Sequence, residues 1–430
     1  MRVLVVSQFC PTRLHPPQTP DNRPLFDELA RTHDALIVRP VGVHRLVKAV
    51  AGACSGSRMT SAELPKMVCP IYPEPKSVWS LTSLRRFDAS VRAAAREAAR
   101  QFQPDVILAN WEYPEGWSAV RLAREIDVPV VLKVYSHANA TSSVTDAAQS
   151  HVVEVLHTAD AVIAADRAAA RAVVTRGTPR RLVRIIPDGV VRRGPSTRSV
   201  IEARRMLGLE RGGLVVVCVG DSRLRTGAAD LLKACAILKQ RGVSVTCCLI
   251  GAQLDSRPLR RLVRSRGLEA NVLFAAASSE EERLTWLDAC DLVVYPAYAD
   301  HLICVLREAI EHCRPFVATR VGGIRDLFDP AMGRLVLAGD VGHLADAMGD
   351  LLERPPGATQ VAERVNVSWT ESATLVTDCL QDAVRRRAVA AERRRRRTAH
   401  AQREPGAGLR LDTGADVDTL RRLAGVKRSR

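Results

Sequence analysis

Two carboxylates eight positions apart, Asp300 and Glu308, carry the chemistry most readily read from this chain. An apolar run over 291–296 leads into a short polar turn holding Asp300. A helical pattern follows with Glu308 on its first turns, and a second apolar run over 315–319 leads to the pair Gly322-Gly323. A strand-to-helix crossing of this kind lies where a parallel sheet opens its ligand crevice. The start of such a helix points unpaired N–H groups and the positive end of its dipole outward, which suits a phosphate. An acid beside it can reach the hydroxyls of a bound sugar or ribose. The combination implies nucleotide-sugar chemistry.

Positioning those groups requires parallel sheets, and the rest of the chain supplies the pattern. Apolar runs alternate with helical ones almost throughout, the signature of strands covered by helices on both faces. In the first half the spacing predicts strands over 3–7, 35–38, 105–108, 130–134 and 161–164, with helices over 24–31, 85–101, 117–125 and 147–157. The second half predicts strands over 214–220, 245–251, 272–275, 292–296, 316–319 and 335–337. Helices are expected there over 227–240, 258–266, 280–289 and 305–312. A basic stretch with Gly194 and Pro195 reads as a linker. The expected organisation is a first domain over 1–190, a linker over 191–200, a second domain over 201–384 whose last helix crosses back to the first, and a basic tail over 385–430.

Composition narrows the function classes. The 430 residues are 47% apolar but only 4% aromatic, so aliphatic side chains must fill the cores. Eleven cysteines, an odd number, include Cys218, Cys247 and Cys248 inside strand-like runs, and they read as buried reduced thiols. The opening residues form a strand too short for a secretory apolar region, and no apolar run reaches the roughly 20 residues of a membrane span. A cytoplasmic protein is expected. The net charge of +16 invites a nucleic-acid reading. Its location argues otherwise: 15 Lys/Arg against 5 Asp/Glu lie beyond residue 384, which leaves about +6 for the rest. That tail reads as solvated, or as attracted to anionic lipid, and without interleaved aromatics it predicts no specific nucleic acid. The segment 43–50 alternates basic and apolar residues; it reads as an ordinary surface helix or as a peripheral contact with the inner leaflet of the plasma membrane.

An ordered set of motifs adds a resemblance. Pro187-Asp188-Gly189-Val190, Val219-Gly220 followed by Gly227, Leu249-Ile250-Gly251, and Ala289-Cys290-Asp291-Leu292 precede the acid pair. Arg314-Pro315-Phe316-Val317, Val321-Gly322-Gly323-Ile324 and Gly333-Arg334-Leu335-Val336 follow it. Over residues 1–384 the chain resembles retaining glycosyltransferases of the GT-B fold, family 4. Trp111 to Gly116 is similar to members that elongate surface polysaccharides. The resemblance implies an α/β molecule of two Rossmann-like, doubly wound domains. A nucleotide diphosphate sugar would be held by the second, and a glycan or lipid-linked acceptor by the first. Glu308 would bind the ribose, Asp300 would sit beside the transferred sugar, and Gly220 with the backbone of Ile303, Cys304 and Val305 would face the diphosphate. Fixed donors aimed at the departing diphosphate would be the main catalytic contribution. No cofactor is implied, and no His/Asp set with metal-ligand spacing is visible.

Several contact points depart from the family pattern. Where it carries an arginine after the strand glycine and a lysine before the next glycine, this chain has Asp221 and Thr226. Arg223 and Arg225 either replace those cations or decorate a solvated loop. Asp300 stands in place of a glutamate, and His301-Leu302-Ile303 in place of Gly-Phe-Gly. Tyr135 occupies the usual histidine position of the first domain, with His137 two residues on; a tyrosine can hold a sugar hydroxyl but is a poor base at neutral pH. The transferase reading therefore stands beside two others: a catalytically silent partner subunit, and another GT-B enzyme such as an epimerase or phosphorylase.

Overall fold

The computed structural model describes residues 1–8, 22–43, 66–73, 81–136, 146–190, 198–209, 212–220, 226–251, 254–276, 279–299, 303–356 and 367–403. The chain divides into two compact units, Met1–Val384 and Arg385–Arg430.

The first lobe is built on seven strands: β1 (Arg2–Val6), β2 (Asp34–Val38), β4 (Lys66–Val68), β6 (Val106–Asn110), β7 (Val130–Val134), β8 (Ala161–Ala164) and β9 (Val183–Ile185), in the order β4-β2-β1-β6-β7-β8-β9. A two-residue pair, β3 (Val41–Gly42) and β5 (Ile71–Tyr72), stands apart. Every pairing is parallel, with Val3 set against Ala35 on one side and Val106 on the other. Alternate residues enter opposite cores: Leu4 and Val6 join one, Val3 and Val5 the other. Both faces are covered, so central strands such as β6 and β7 are buried throughout, and they read as continuous apolar runs for that reason. The covering helices are α1 (Arg23–Thr32), α2 (Leu81–Phe102), α3 (Glu115–Ile126), α4 (Asp146–Thr158) and α5 (Arg167–Thr175).

The second lobe repeats the plan. After α6 (Val200–Met206) come β10 (Leu214–Val219), α7 (Ala228–Gln240), β11 (Val245–Ile250), α8 (Arg257–Ser265), β12 (Val272–Ala275), α9 (Glu280–Ala289) and β13 (Leu292–Tyr295). They are followed by α10 (Ile303–Glu311), β14 (Phe316–Thr319), β15 (Gly333–Val336) and α11 (Val341–Glu353). The order is β12-β11-β10-β13-β14-β15, again all parallel. Val215, Val217 and Val219 face one core while Val216 and Cys218 face the other.

The final helix, α12 (Trp369–Arg403), places Ala373, Val376, Leu380 and Ala383 in the core beside Val3 and Val5 of the first sheet. Their spacing is one helical stripe, and it covers a face that the first lobe's own helices leave open. The helix runs past residue 384, where the tail was expected to begin, and reaches Arg403. Two further helices, α5 and α6, fall where the sequence reading placed none. Their Ala- and Arg-rich composition hides the amphipathic period, but each begins at a capping side chain. Asp166 accepts from the Ala169 N–H at 2.7 Å, and Ser199 from the Glu202 N–H at 3.2 Å. Among the described residues, no helix is long and apolar enough to cross a membrane.

Each sheet reverses strand order once, between β1 and β6 in the first lobe and between β10 and β13 in the second. Ligand crevices of doubly wound sheets open at those points, beyond the carboxyl ends of the strands.

Candidate functional site

At the β10/β13 reversal, backbone segments crowd together. Gly220 ends β10 and donates its N–H to the Ile250 carbonyl at 2.9 Å. Gly227 opens α7 at φ +71°, and a Cβ there would overlap the Pro296 carbonyl at the end of β13. Gly251, at φ +135°, likewise admits no side chain, because the Gly220 carbonyl occupies that space. Only glycine meets both demands, so the Gly220…Gly227 and Ile250-Gly251 signals mark one tight point. The loop after β13 is tied down by Tyr298, whose hydroxyl donates to Asp230 at 2.7 Å; Asp230 also pairs with Lys233 at 3.0 Å.

Helix α10 begins within eight residues of β13, and among the described residues its first turn holds no acid. Ile303 and Cys304 are half-buried there and Val305 is buried. What Val305 can offer a ligand is its backbone N–H. Burial raises the Cys304 thiol above its ordinary range, with Arg283 opposing. Glu308, one turn on, forms an ion pair with Arg283 of α9. Sequence reading gave Glu308 to the ribose and had no role for Arg283.

In the first lobe a polar network sits at the ends of β6 and β7. Lys133, fully buried in β7, pairs its ammonium with the Asp188 carboxylate. Arg307 of α10, 5% exposed, donates to the Asp188 carbonyl at 3.0 Å across the join of the two lobes. Desolvation lowers the Arg307 pKa, with Asp188 opposing. A cavity of about 150 Å³ lies beside this contact, between Asp166, Ile185 and Pro187 of the first lobe and Arg307 and Asp326 of the second. The Tyr135 hydroxyl donates to Asn22 at 2.8 Å, and its ring lies 5.4 Å from that of Trp111. Burial, followed by the Asp188 charge, holds the phenol well above 10. It therefore stays protonated and works as a donor, not a base.

The loop after β6 adds two buried acids. Trp111 takes φ +84°, a conformation a bulky side chain adopts only where its surroundings impose it. Glu115 accepts from the Gln8 N–H at 3.2 Å, which bridges the ends of β1 and β6 at the first lobe's own strand reversal. Gln8 in turn accepts from the Tyr72 hydroxyl at 2.6 Å. Burial lifts Glu115 to about 7, and it raises Glu112 as well.

Of the residues singled out from sequence, Gly220 follows β10 while Ile303, Cys304, Val305 and Glu308 lie on the helix after β13, the two strands that flank the second lobe's reversal, and Tyr135 stands on the first lobe. Asp300, His137, Arg223 and Arg225 lie outside the described residues, as do 44–50 and most of the linker. Sequence reading missed Lys133, Asp188, Arg307, Glu115 and Arg283. One signal was available: a lysine inside Val130-Val131-Leu132-Lys133-Val134 needs a buried counter-ion. Among the described residues, no three His, Cys, Asp or Glu side chains are grouped as they would be to hold a metal ion.

Residues 22–189 match the model described as a glycosyl transferase 4-like domain, and residues 200–366 that of glycosyl transferases group 1. The D-inositol 3-phosphate glycosyltransferase of Mycobacterium leprae is 33% identical over 193 residues, 43% of this chain and 44% of the relative. The protein of the same name from Acidothermus cellulolyticus is 29% identical over 267 residues, 56% and 58% of the two chains. The chain thus spans about half the length of the curated relatives it matches. Sucrose-phosphate synthase from Thermosynechococcus elongatus superposes with a TM-score of 0.72 at 19% identity, covering 91% of this chain and 99% of that one. Anabaena HepE, crystallised with UDP and glucose, superposes with a TM-score of 0.66 at 18% identity, covering 89% and 100%. At such identities the likeness shows the fold: two parallel-sheet lobes of the GT-B type.

Proposed function

We propose that this chain, which belongs to the group 1 glycosyl transferases with a 4-like first lobe, moves a sugar from a nucleotide diphosphate sugar to a hydroxyl acceptor. The observation that carries the reading is the convergence at the β10/β13 reversal. Glycines that admit no side chain stand after β10 and β11, and α10 with Glu308 on it follows β13, the strand beside β10. Close backbone and a helix start suit a diphosphate, and a carboxylate one turn away suits a ribose diol. HepE, a protein of this fold, was crystallised with UDP and glucose, which supports a nucleotide donor.

The two lobes would divide the work. The second would anchor the donor and stabilise the negative charge that grows on the departing diphosphate. The first would present the acceptor, with the protonated Tyr135 and the buried acids of the β6 loop as its polar groups. A glycan or lipid-linked acceptor fits the motif resemblance; the relatives named for inositol 3-phosphate make that compound the second acceptor to try. Transfer with retention of configuration follows the family pattern, with Asp300 beside the transferred sugar and no metal required. A cytoplasmic protein touching the inner leaflet through residues 43–50 would meet such an acceptor.

Calorimetry with UDP, GDP and ADP tests the donor site, and NMR of the product's anomeric signal tests retention. Micromolar binding of one nucleotide, lost in Glu308→Ala, is expected. Absence of binding to all three would leave the silent partner subunit as the better reading.

A further inference from the structure

We propose that Arg283 is a positioning residue for the donor: it fixes the Glu308 carboxylate so that one oxygen is left to accept the ribose diol of a nucleoside diphosphate. The inference rests on the function proposed above and extends it to a residue on a different helix.

The geometry begins with α9. Ser279 caps it, accepting from the Glu282 N–H at 3.1 Å. Leu284 and Leu287 enter the same core as Val305, Leu306 and Ala309 of α10, so the two helices pack side by side. Arg283 therefore stands on the flank of α9 that borders α10. On α10, Cys304 and Glu308 are four residues apart and share a face, one above the other. Arg283 pairs with Glu308, so its guanidinium borders that face of α10. Asp188 and Arg307 act on the Cys304 thiol with opposite signs.

Glu308 meets Arg283 through Oε2, which leaves the other carboxylate oxygen to take a further donor. Both side chains are about one-fifth exposed, close enough to solvent for a ligand to reach. A glutamate held at one end only would sample several rotamers and lose entropy on binding. The planar guanidinium fork removes that freedom and holds the carboxylate in one orientation.

The test pairs protein variants with ligand variants. Affinities of UDP and 2′,3′-dideoxy-UDP (or the corresponding pair for whichever of GDP or ADP binds better) are measured by calorimetry for wild type, Arg283→Ala, Arg283→Lys and Glu308→Gln. Wild type is expected to favour the intact ribose by about ten- to hundredfold, the range for hydrogen bonds to a charged group. In Arg283→Ala that preference should fall to near unity through weaker UDP binding, with dideoxy-UDP affinity unchanged; Arg283→Lys should retain part of it. A helix-tying role would leave the preference intact. Undiminished preference in Arg283→Ala together with its loss in Glu308→Gln overturns this inference and spares the donor site. Failure of wild type to bind any of the three nucleotides overturns both. Should Arg283→Ala not fold, Arg283→Lys and Arg283→Gln decide by the same ratio.

Discussion

Replacing Glu115 by glutamine should change the pH dependence of stability in a way no packing effect can imitate. The carboxyl is 1% exposed, accepts one hydrogen bond from Gln8 and has an oxygen without a partner among the described residues. Burial is the main reason its pKa rises from 4.5 to about 7; the Glu112 charge adds to the rise, while hydrogen bonds from the Glu115 and Gln8 backbones oppose it. Unfolded, the same group titrates near its ordinary value. Below pH 4.5 both states hold the proton and stability does not depend on this group. Between about 4.5 and 7 the unfolded chain has released the proton and the folded chain has not, so stability falls by about 1.4 kcal/mol per pH unit. Over roughly 2.5 units the loss reaches about 3 kcal/mol, and it stays constant at higher pH. Glutamine keeps a carbonyl for Gln8 and cannot ionise. The variant should therefore match wild type near pH 5 and exceed it by up to about 3 kcal/mol at pH 8. Urea unfolding followed by circular dichroism at pH 5, 6, 7 and 8 measures this. A stability difference that is the same at pH 5 and pH 8 would refute the buried, proton-holding carboxyl.

Other outcomes follow from the same structure. Asp188→Asn leaves the Lys133 ammonium buried without its counter-ion and should cost about 3–5 kcal/mol, much of it recovered in the double variant with Lys133→Met; a loss under about 1 kcal/mol in urea unfolding contradicts the pairing. Gly227→Ala forces a Cβ into the Pro296 carbonyl at a positive φ, so the melting temperature should drop by several degrees at least. Thiol labelling of the native protein should reach Cys69 while Cys218, Cys247, Cys248 and Cys290 react only after unfolding, because burial hides all four and raises the pKa of Cys218, Cys248 and Cys290 to about 12, and the Cys235 contact together with burial raises that of Cys247. Native-state modification of any of those four would argue against the strand cores described.

Much of the fold was legible because its signals are local. Alternation of apolar strands with helical stripes specifies parallel sheets, and the β11, β13 and β14 runs lie within a residue of their expected bounds. Glycines at 227 and 251 mark a crowded backbone because a side chain at either would overlap a neighbouring carbonyl. Glu308 and the start of α10 were readable from spacing within one strand–helix unit. Charge pairing was not. Lys133 meets Asp188 across 55 residues and Arg307 meets the same turn across 119, and no periodicity in a sequence encodes which distant partner a buried charge will find. The return of the last helix to the first lobe was expected from the sequence, but which strands α12 would cover, Val3 and Val5 among them, depends on which face remains open after the lobe's own helices have packed. Local propensity and pattern fixed the elements; the requirement that every buried charge and every apolar face find a partner in three dimensions fixed how the site is assembled.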